Sequence, residues 1–440
     1  MRAITSRDAG HATAYEINAQ ADEINVRDAE MGPHLVTSRD AVVAGHICLD
    51  VIPDLSALSP EGLALLFRPG RLTEVGSLTI STGGAVSNTG LALHKLGIPT
   101  RLMGKIGNDL LGQVVRQVIE SHGPGLANGM VVDAAVHTSY TVIVNPPGVD
   151  RIFLHCPAAN ETFSARDVRY DVVGRARLFH FGYPPILKLM YEDGGAQLVD
   201  MFRRARETGV TTSLDLSLPD AASAAGRVDW AAILRRVLPY VDVFLPSIEE
   251  TLYMLRRETY RELMEGAPLT PALSPGGRGG APFTPALLSD LSRQILEMGS
   301  KVVGLKLGER GLYVHTAGRA ALAALGAARP AQPAAWAGKE LWAPCFKVEV
   351  VGTTGAGDAT IAGFLSGLLR GLSLEDTLTA AVAVGACNVE AADALGGIRS
   401  WEETWRRVRA GWARHDLTLD APGWHYDEQH HMWIGPAGES

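Results

Sequence analysis

The chain of 440 residues reads as an α/β protein, a mostly parallel central sheet flanked by helices. Two observations predict this. Apolar strand-like runs alternate with amphipathic helical segments through most of the chain, the rhythm of a sheet covered on both faces. A glycine-rich turn near the C-terminal end, VVGTTGAGDAT (350–360), joins an alternating run to a helical one.

Structure is predicted to begin near residue 41, where AVVAGHICLDVIPDL opens as a β-rich run. TEVGSLTIST (73–82) alternates like a strand until Gly83-Gly84, and SNTGLALHKLG reads as a helix capped by Ser87 and stopped at Gly97. A strand (TRLMGKIG) and a helix starting at Asp109 follow. YTVIV (140–144) and RIFLHC (151–156) flank NPPGVD and predict a β-hairpin. RARLFHFG, VTTSLDLS, VDVFLPS and KVVGLKLG supply further strands, with helices LVDMFRRARETG and WAAILRRVLPY between them. Two stretches break the rhythm: 267–288, rich in Pro and Gly and expected to be a disordered insertion, and the Ala/Pro-rich 316–338, expected on a surface loop. After residue 400 come two helix-like turns and an aromatic tail.

Composition limits the function classes. With 46% hydrophobic and 20% charged residues the chain is ordinary for a soluble globular protein, long enough for one large domain or two smaller ones. A net charge of −8 argues against a broad basic surface, so neither nucleic acid nor an anionic membrane is an expected partner. The four cysteines are scattered, without a C-x-x-C pair, which suits a reducing compartment. No apolar run approaches the roughly 20 residues that span a bilayer, and residues 1–40 lack an apolar signal core. A cytoplasmic protein is expected.

The turn at 350–360 carries the chemistry. FKVEVV upstream alternates as a strand would, and Ile361, Phe364, Leu365, Leu368 and Leu369 downstream fall at helical spacing. The glycines then lie at a helix N-terminus, where unpaired N–H groups and the dipole favour an anion. Asp358 and Ala359 stand where a Walker A loop needs Lys and Ser/Thr, and Thr360 replaces the last glycine of G-x-G-x-x-G. Asp358 either caps the helix or serves as base to a hydroxyl attacking a phosphoryl group held by the amides.

With these residues the chain resembles the ribokinase-like (PfkB) carbohydrate kinases over roughly 41–400. TTGAGDATIAG is similar to their C-terminal signature, which implies Asp358 as catalytic base and the amides of Gly355, Ala356 and Gly357 as anion hole. STGGAVSN resembles the N-terminal signature and implies that Gly83, Gly84 and Asn88 touch a sugar. Asp50 and Asn160 (in AAN) match further substrate positions, and GKIGNDLLG resembles another family block. KLGERGLYV implies a nucleotide near Lys306, Gly308 and Gly311, with Thr353 beside it; Glu250 is the retained acid of a metal motif. The resemblance implies a three-layer ribokinase-like sandwich with a β-sheet lid from about 51–82 and 136–156, extensions at 1–40 and 401–440, and ATP with Mg²⁺ as cofactors.

The chain departs from the pattern at Gly352 (Asp in the family), Ser247 (Asn), Lys306 (usually Thr) and Ser217 (commonly Asn in D-x-N). Lys306 either points to solvent or approaches a phosphate. His425, His430 and His431 are read as surface packing rather than metal ligands. The function implied is ATP-dependent phosphorylation of a hydroxyl on a sugar or small polyol. Alternatives are a nucleoside kinase of the same fold and a catalytically weak sugar or nucleotide binder. Ala85 and Val86 supply no cation beside the Gly pair, which favours a neutral sugar over a sugar phosphate. The hairpin strands, marginal as an isolated pair, are expected to make a homodimer contact through the lid.

Overall fold

The computed structural model describes residues 41–58, 68–70, 72–145, 151–265 and 283–436. Among the described residues the central sheet has ten strands. Six are parallel, in the spatial order β4 (Thr100–Met103), β1 (Ala41–Gly45), β9 (Leu178–Gly182), β10 (Thr211–Leu214), β11 (Val243–Phe244) and β12 (Val302–Lys306). Beyond β12 the sheet turns antiparallel through β13 (Leu312–Thr316), β14 (Glu340–Ala343), β16 (Met432–Ile434) and β15 (His425–Asp427).

Alternation along β1 shows why this is a three-layer structure. Ala41 and Val43 enter the core beneath helices Ala85–Lys95, Ala356–Leu369 and Leu374–Asn388, while Val42 and Ala44 enter the opposite core. There they join helices Ala196–Glu207, Trp230–Val237 and Pro285–Glu297. Both faces are buried, so these strands read as continuous apolar runs.

The β-rich run at the start divides in two. After β1 the chain passes through His46 and Ile47 and leaves the central sheet as β2 (Cys48–Pro53). β2 pairs with β3 (Leu78–Gly83) and β7 (Tyr140–Val144), and β7 with β8 (Ile152–Cys156), giving a four-stranded second sheet. The expected hairpin forms, its register running from Tyr140↔Cys156 to Val144↔Ile152; the turn residues 146–150 lie outside the described residues.

Several expectations change. Gly84, at φ 92°, is the N-cap of the helix Ala85–Lys95, and Ser87 lies inside it bonded to Thr82. FKVEVV forms no strand; Phe346 only bridges to Arg414. The segment 316–338 holds two short helices, Arg319–Ala323 and Pro333–Trp336, and buries Leu322, Leu325, Ala328 and Trp336. These few residues, with Pro330, anchor the segment to the core, while Ala320, Ala323, Ala324, Ala327, Ala331, Ala334 and Ala335 stay exposed. Most of 267–288 lies outside the described residues, but Phe283 and Leu288 are buried and helix Pro285–Glu297 has begun by then, its Thr284 cap and N1 proline both legible signals. Among the described residues after 400 there is one helix, Trp401–Arg409, and the tail closes the edge of the central sheet as β15 and β16. His430 ties the intervening turn through Nδ1 to Asp427 at 2.5 Å.

Candidate active site

The C-terminal ends of the parallel strands converge on the N-terminus of the helix Ala356–Leu369. Asp358, in its first turn, is 3% exposed. One carboxylate oxygen accepts from Asn88 Nδ2 (3.1 Å) and the Tyr183 hydroxyl (2.6 Å), the other from Thr89 Oγ1 (2.9 Å). A carboxylate has about four acceptor positions, so three donors orient it and leave room for one more. The cap reading fails: Gly355, at φ 70°, is the N-cap, and no side chain caps this helix.

Tyr183 and Thr89 are site residues that sequence reasoning missed. Tyr183 follows β9 directly and adopts φ 67°, uncommon for a bulky side chain. Burial, with Asp358 and Asp215 beside it, pushes its phenol well above the ordinary range, so it stays a donor. Its place just past the C-terminal end of a parallel strand, where open α/β sheets gather their sites, was the available signal.

The expected anion hole is partly engaged. Ala356 N–H donates to the Thr353 carbonyl at 3.3 Å, whereas first-turn amides such as Gly357 have no acceptor within the helix. Helix Leu374–Asn388 pins the turn, since Asn388 Nδ2 donates to Thr354 O at 2.8 Å. A Cβ on Gly355 would lie 2.7 Å from that of Ala394, so the residue type is set by packing as well as by φ. Gly352 meets the backbone of Ala391 and Ala392 equally closely, which leaves no room for the aspartate of the family pattern.

Lys306, at the end of β12, does not point to solvent. Its Nζ donates to Asp215 at 2.7 Å, both side chains are nearly inaccessible, and it lies 3.6 Å from where a Gly357 Cβ would be. Burial opposes its charge, but Asp215, Glu250 and Asp358 outweigh that and hold the ammonium above its usual range. Burial pushes Asp215 and Glu250 upward, with Lys306 opposing. Glu250 completes a capping box, accepting from Ser247 N at 2.6 Å while Ser247 Oγ accepts from Glu250 N. Ser247 therefore does the capping that the lost asparagine would offer. Three carboxylates facing one ammonium leave an acidic, all-oxygen donor set, which fits Mg²⁺ arriving with phosphate.

The acceptor-side residues adjoin this cluster. Asp50, on β2, lies over Gly83: a Cβ there would be 2.4 Å from Asp50 Oδ2. Burial pushes the Asp50 carboxyl up to about 6 against hydrogen bonds from Cys48 and Thr141. Gly84 lies against His46, whose ring is 6.3 Å from that of Tyr183, so the two clusters form one wall. Asn88 leaves its Oδ1 without a partner beside Asp358. Asn160 differs from expectation. Its amide is engaged at both ends by the backbone of Ile47, donating to O at 2.8 Å and accepting from N at 3.4 Å, which fixes the β1–β2 crossing. Gly311 is likewise structural, its Cβ position 1.9 Å from Ala343 O, while Gly308 faces open space. Arg151, at the start of the lid strand β8, reaches Thr354 and Thr353 of the turn. Sequence reasoning missed this arginine, which precedes the hairpin's apolar run.

A sheet of this order, a small second sheet at its C-terminal edge and an acid in a glycine-turned helix start define a class of small-molecule phosphotransferase. The family model described as pfkB family carbohydrate kinase matches residues 38–400. The chain belongs to that family; it is a sugar kinase. An "Uncharacterized sugar kinase" of Archaeoglobus fulgidus is 24% identical over 286 residues, covering 65% of this chain and 89% of the relative. Among solved structures, a fructokinase with bound ATP from Xylella fastidiosa superposes with TM-score 0.60 at 18% identity, covering 85% of this chain and 99% of that one. Arabidopsis thaliana ribokinase complexed with ribose and ATP gives 0.59 at 17%, covering 84% and 98%.

Proposed function

We propose that the chain transfers the γ-phosphoryl group of ATP to a hydroxyl of a neutral sugar or small polyol, with Asp358 as the base. The observation that carries this reading is a carboxylate aligned by three donors at the mouth of an anion-favouring helix end. Asp358 accepts the hydroxyl proton as the oxygen attacks phosphorus. The amides of Gly355 and Gly357, with Ala356 in a lesser part, hold the charge on the transferring group, and Lys306 adds a fixed cation beside Gly357. Asp50 and the free Oδ1 of Asn88 bind acceptor hydroxyls above Gly83 and Gly84, and Asn160 shapes that floor through Ile47. Thr353, Gly308 and Gly311 border the nucleotide. Asp215 and Glu250 would hold Mg²⁺, which neutralises phosphate charge when bound.

Arg151 brings a second cation to the phosphates from the lid, so the anion site is complete only when the lid is down. The exposed lid residues Leu78, Ile80, Phe153 and Leu154 support pairing with a second copy. Incubation with ATP, Mg²⁺ and a panel of sugars and nucleosides tests the reading, with ADP as readout. ADP release stimulated by a neutral sugar is expected. Stimulation by nucleosides alone would replace it with a nucleoside kinase, and no stimulated release with any acceptor would leave a binding protein.

A further inference from the structure

At the junction of lid and central sheet lie three groups that the phosphoryl-transfer scheme does not use. His46 occupies the crossing between β1 and β2, Cys48 is the first residue of β2, and His155 stands on β8. One ligand atom from each lies within 4.8 Å of the others. The His46 ring is 3% exposed, yet neither nitrogen has a hydrogen-bond partner. A buried imidazole with both nitrogens unspent is costly unless something else meets them. The His155 ring stands 5.3 Å from it, Nδ1 within 3.0 Å of Thr141 Oγ1, which leaves Nε2 to face another partner. A Cβ on Gly84, itself at φ 92°, would strike both Nδ1 and the backbone carbonyl of His46.

We infer that His46, Cys48 and His155 form a binding site for a borderline-soft divalent cation of the zinc type, stapling the lid to the central sheet. Two imidazoles and a thiolate are the donor set such an ion selects over Mg²⁺. Zinc–nitrogen and zinc–sulfur bonds of about 2.1 and 2.3 Å set tetrahedral edges near 3.5 Å, so the three atoms need draw in by only ~1 Å. The Cys48 thiol points at Asp50 Oδ1, 3.3 Å away. On binding, the S–H bond breaks, sulfur keeps the electron pair to bond the metal, and the proton passes to the Asp50 carboxylate or to water. Because Asp50 belongs to the proposed acceptor pocket, a cation here excludes the sugar; that consequence alone rests on the reading above.

Cobalt(II) titration of the reduced full-length protein tests the site, since tetrahedral Co²⁺ with a thiolate ligand shows intense visible bands and a near-ultraviolet sulfur-to-metal transition. One equivalent with both signatures, displaced by Zn²⁺, is expected. Cys48→Ser should abolish the sulfur transition and weaken binding by about tenfold or more. His155→Ala, on the more exposed lid strand, should weaken it comparably and covers the case in which the buried variant fails to fold. Weak octahedral spectra only, or spectra unchanged in both variants, would overturn the assignment. In parallel, Zn²⁺ should inhibit ADP release competitively with the sugar and reversibly with chelator. A tetrahedral thiolate spectrum without such inhibition upholds the metal site and overturns instead the placing of the sugar beside Asp50.

Discussion

Asp358 concentrates the residue-scale argument. Its partners Asn88, Thr89 and Tyr183 come from the Ala85–Lys95 helix and the end of β9, so the carboxylate is oriented by elements far away in sequence. Asp358→Asn keeps the shape but cannot take a proton, and steady-state turnover should fall on the order of 10²–10⁴-fold with the melting temperature nearly unchanged. A variant retaining most of its turnover would remove Asp358 as base. Asp50 makes an opposite trade. Its carboxyl is held up at about 6, so between roughly pH 4 and 6 the folded protein binds more protons than the unfolded chain. Folded stability therefore drops as pH rises through that window. Asp50→Asn, with no charge to desolvate, should stabilise the protein by on the order of 2 kcal/mol at pH 7.5 and by little below pH 4. Thermal melts at the two pH values check this, and the sugar KM should rise in the same variant.

At the scale of elements, two segments bear on the candidate site, the Ala/Pro stretch expected on a surface loop and the lid hairpin. The Pro333–Trp336 turn places Trp336, 2% exposed, edge-on to Phe364 of the helix that carries Asp358, centroids 6.4 Å apart. Trp336→Ala should cost about 3–5 kcal/mol, read from denaturant unfolding; a surface loop would lose almost nothing. The lid hairpin delivers Arg151 to Thr353 and Thr354. If that guanidinium completes the phosphate site, Arg151→Ala should lower kcat by about tenfold or more and raise the KM for ATP less. An unchanged kcat would confine the arginine to tethering the lid.

For the whole molecule, the second sheet is the conspicuous element. Four strands stand off the central sheet, with Leu78, Ile80, Ile152, Phe153 and Leu154 all more than two-fifths exposed. Ile143, by contrast, is buried, so a test of pairing belongs on Phe153 and Leu154. Sedimentation at micromolar concentration should show a dimer that Phe153→Glu dissociates; a monomer with and without substrate would rule the pairing out. No described helix is long and apolar enough to cross a membrane.

The sequence by itself determined the mostly parallel sheet, the hairpin and the place of Asp358 at a helix start, because each depends on residues close together along the chain. Apolar period, turn residues and glycine spacing are local quantities. It also marked Gly83 and Gly84, although the reason for them, the approach of Asp50 and His46, is a matter of packing. Tertiary structure alone decided what Lys306 faces, that Asn160 spends its amide on Ile47, that Tyr183 and Arg151 reach the site, and that Leu322, Leu325 and Trp336 of the Ala/Pro segment join the core. Each of those depends on groups tens to hundreds of residues apart, and a side chain's partner across that distance is set by how the layers dock, which no local pattern encodes.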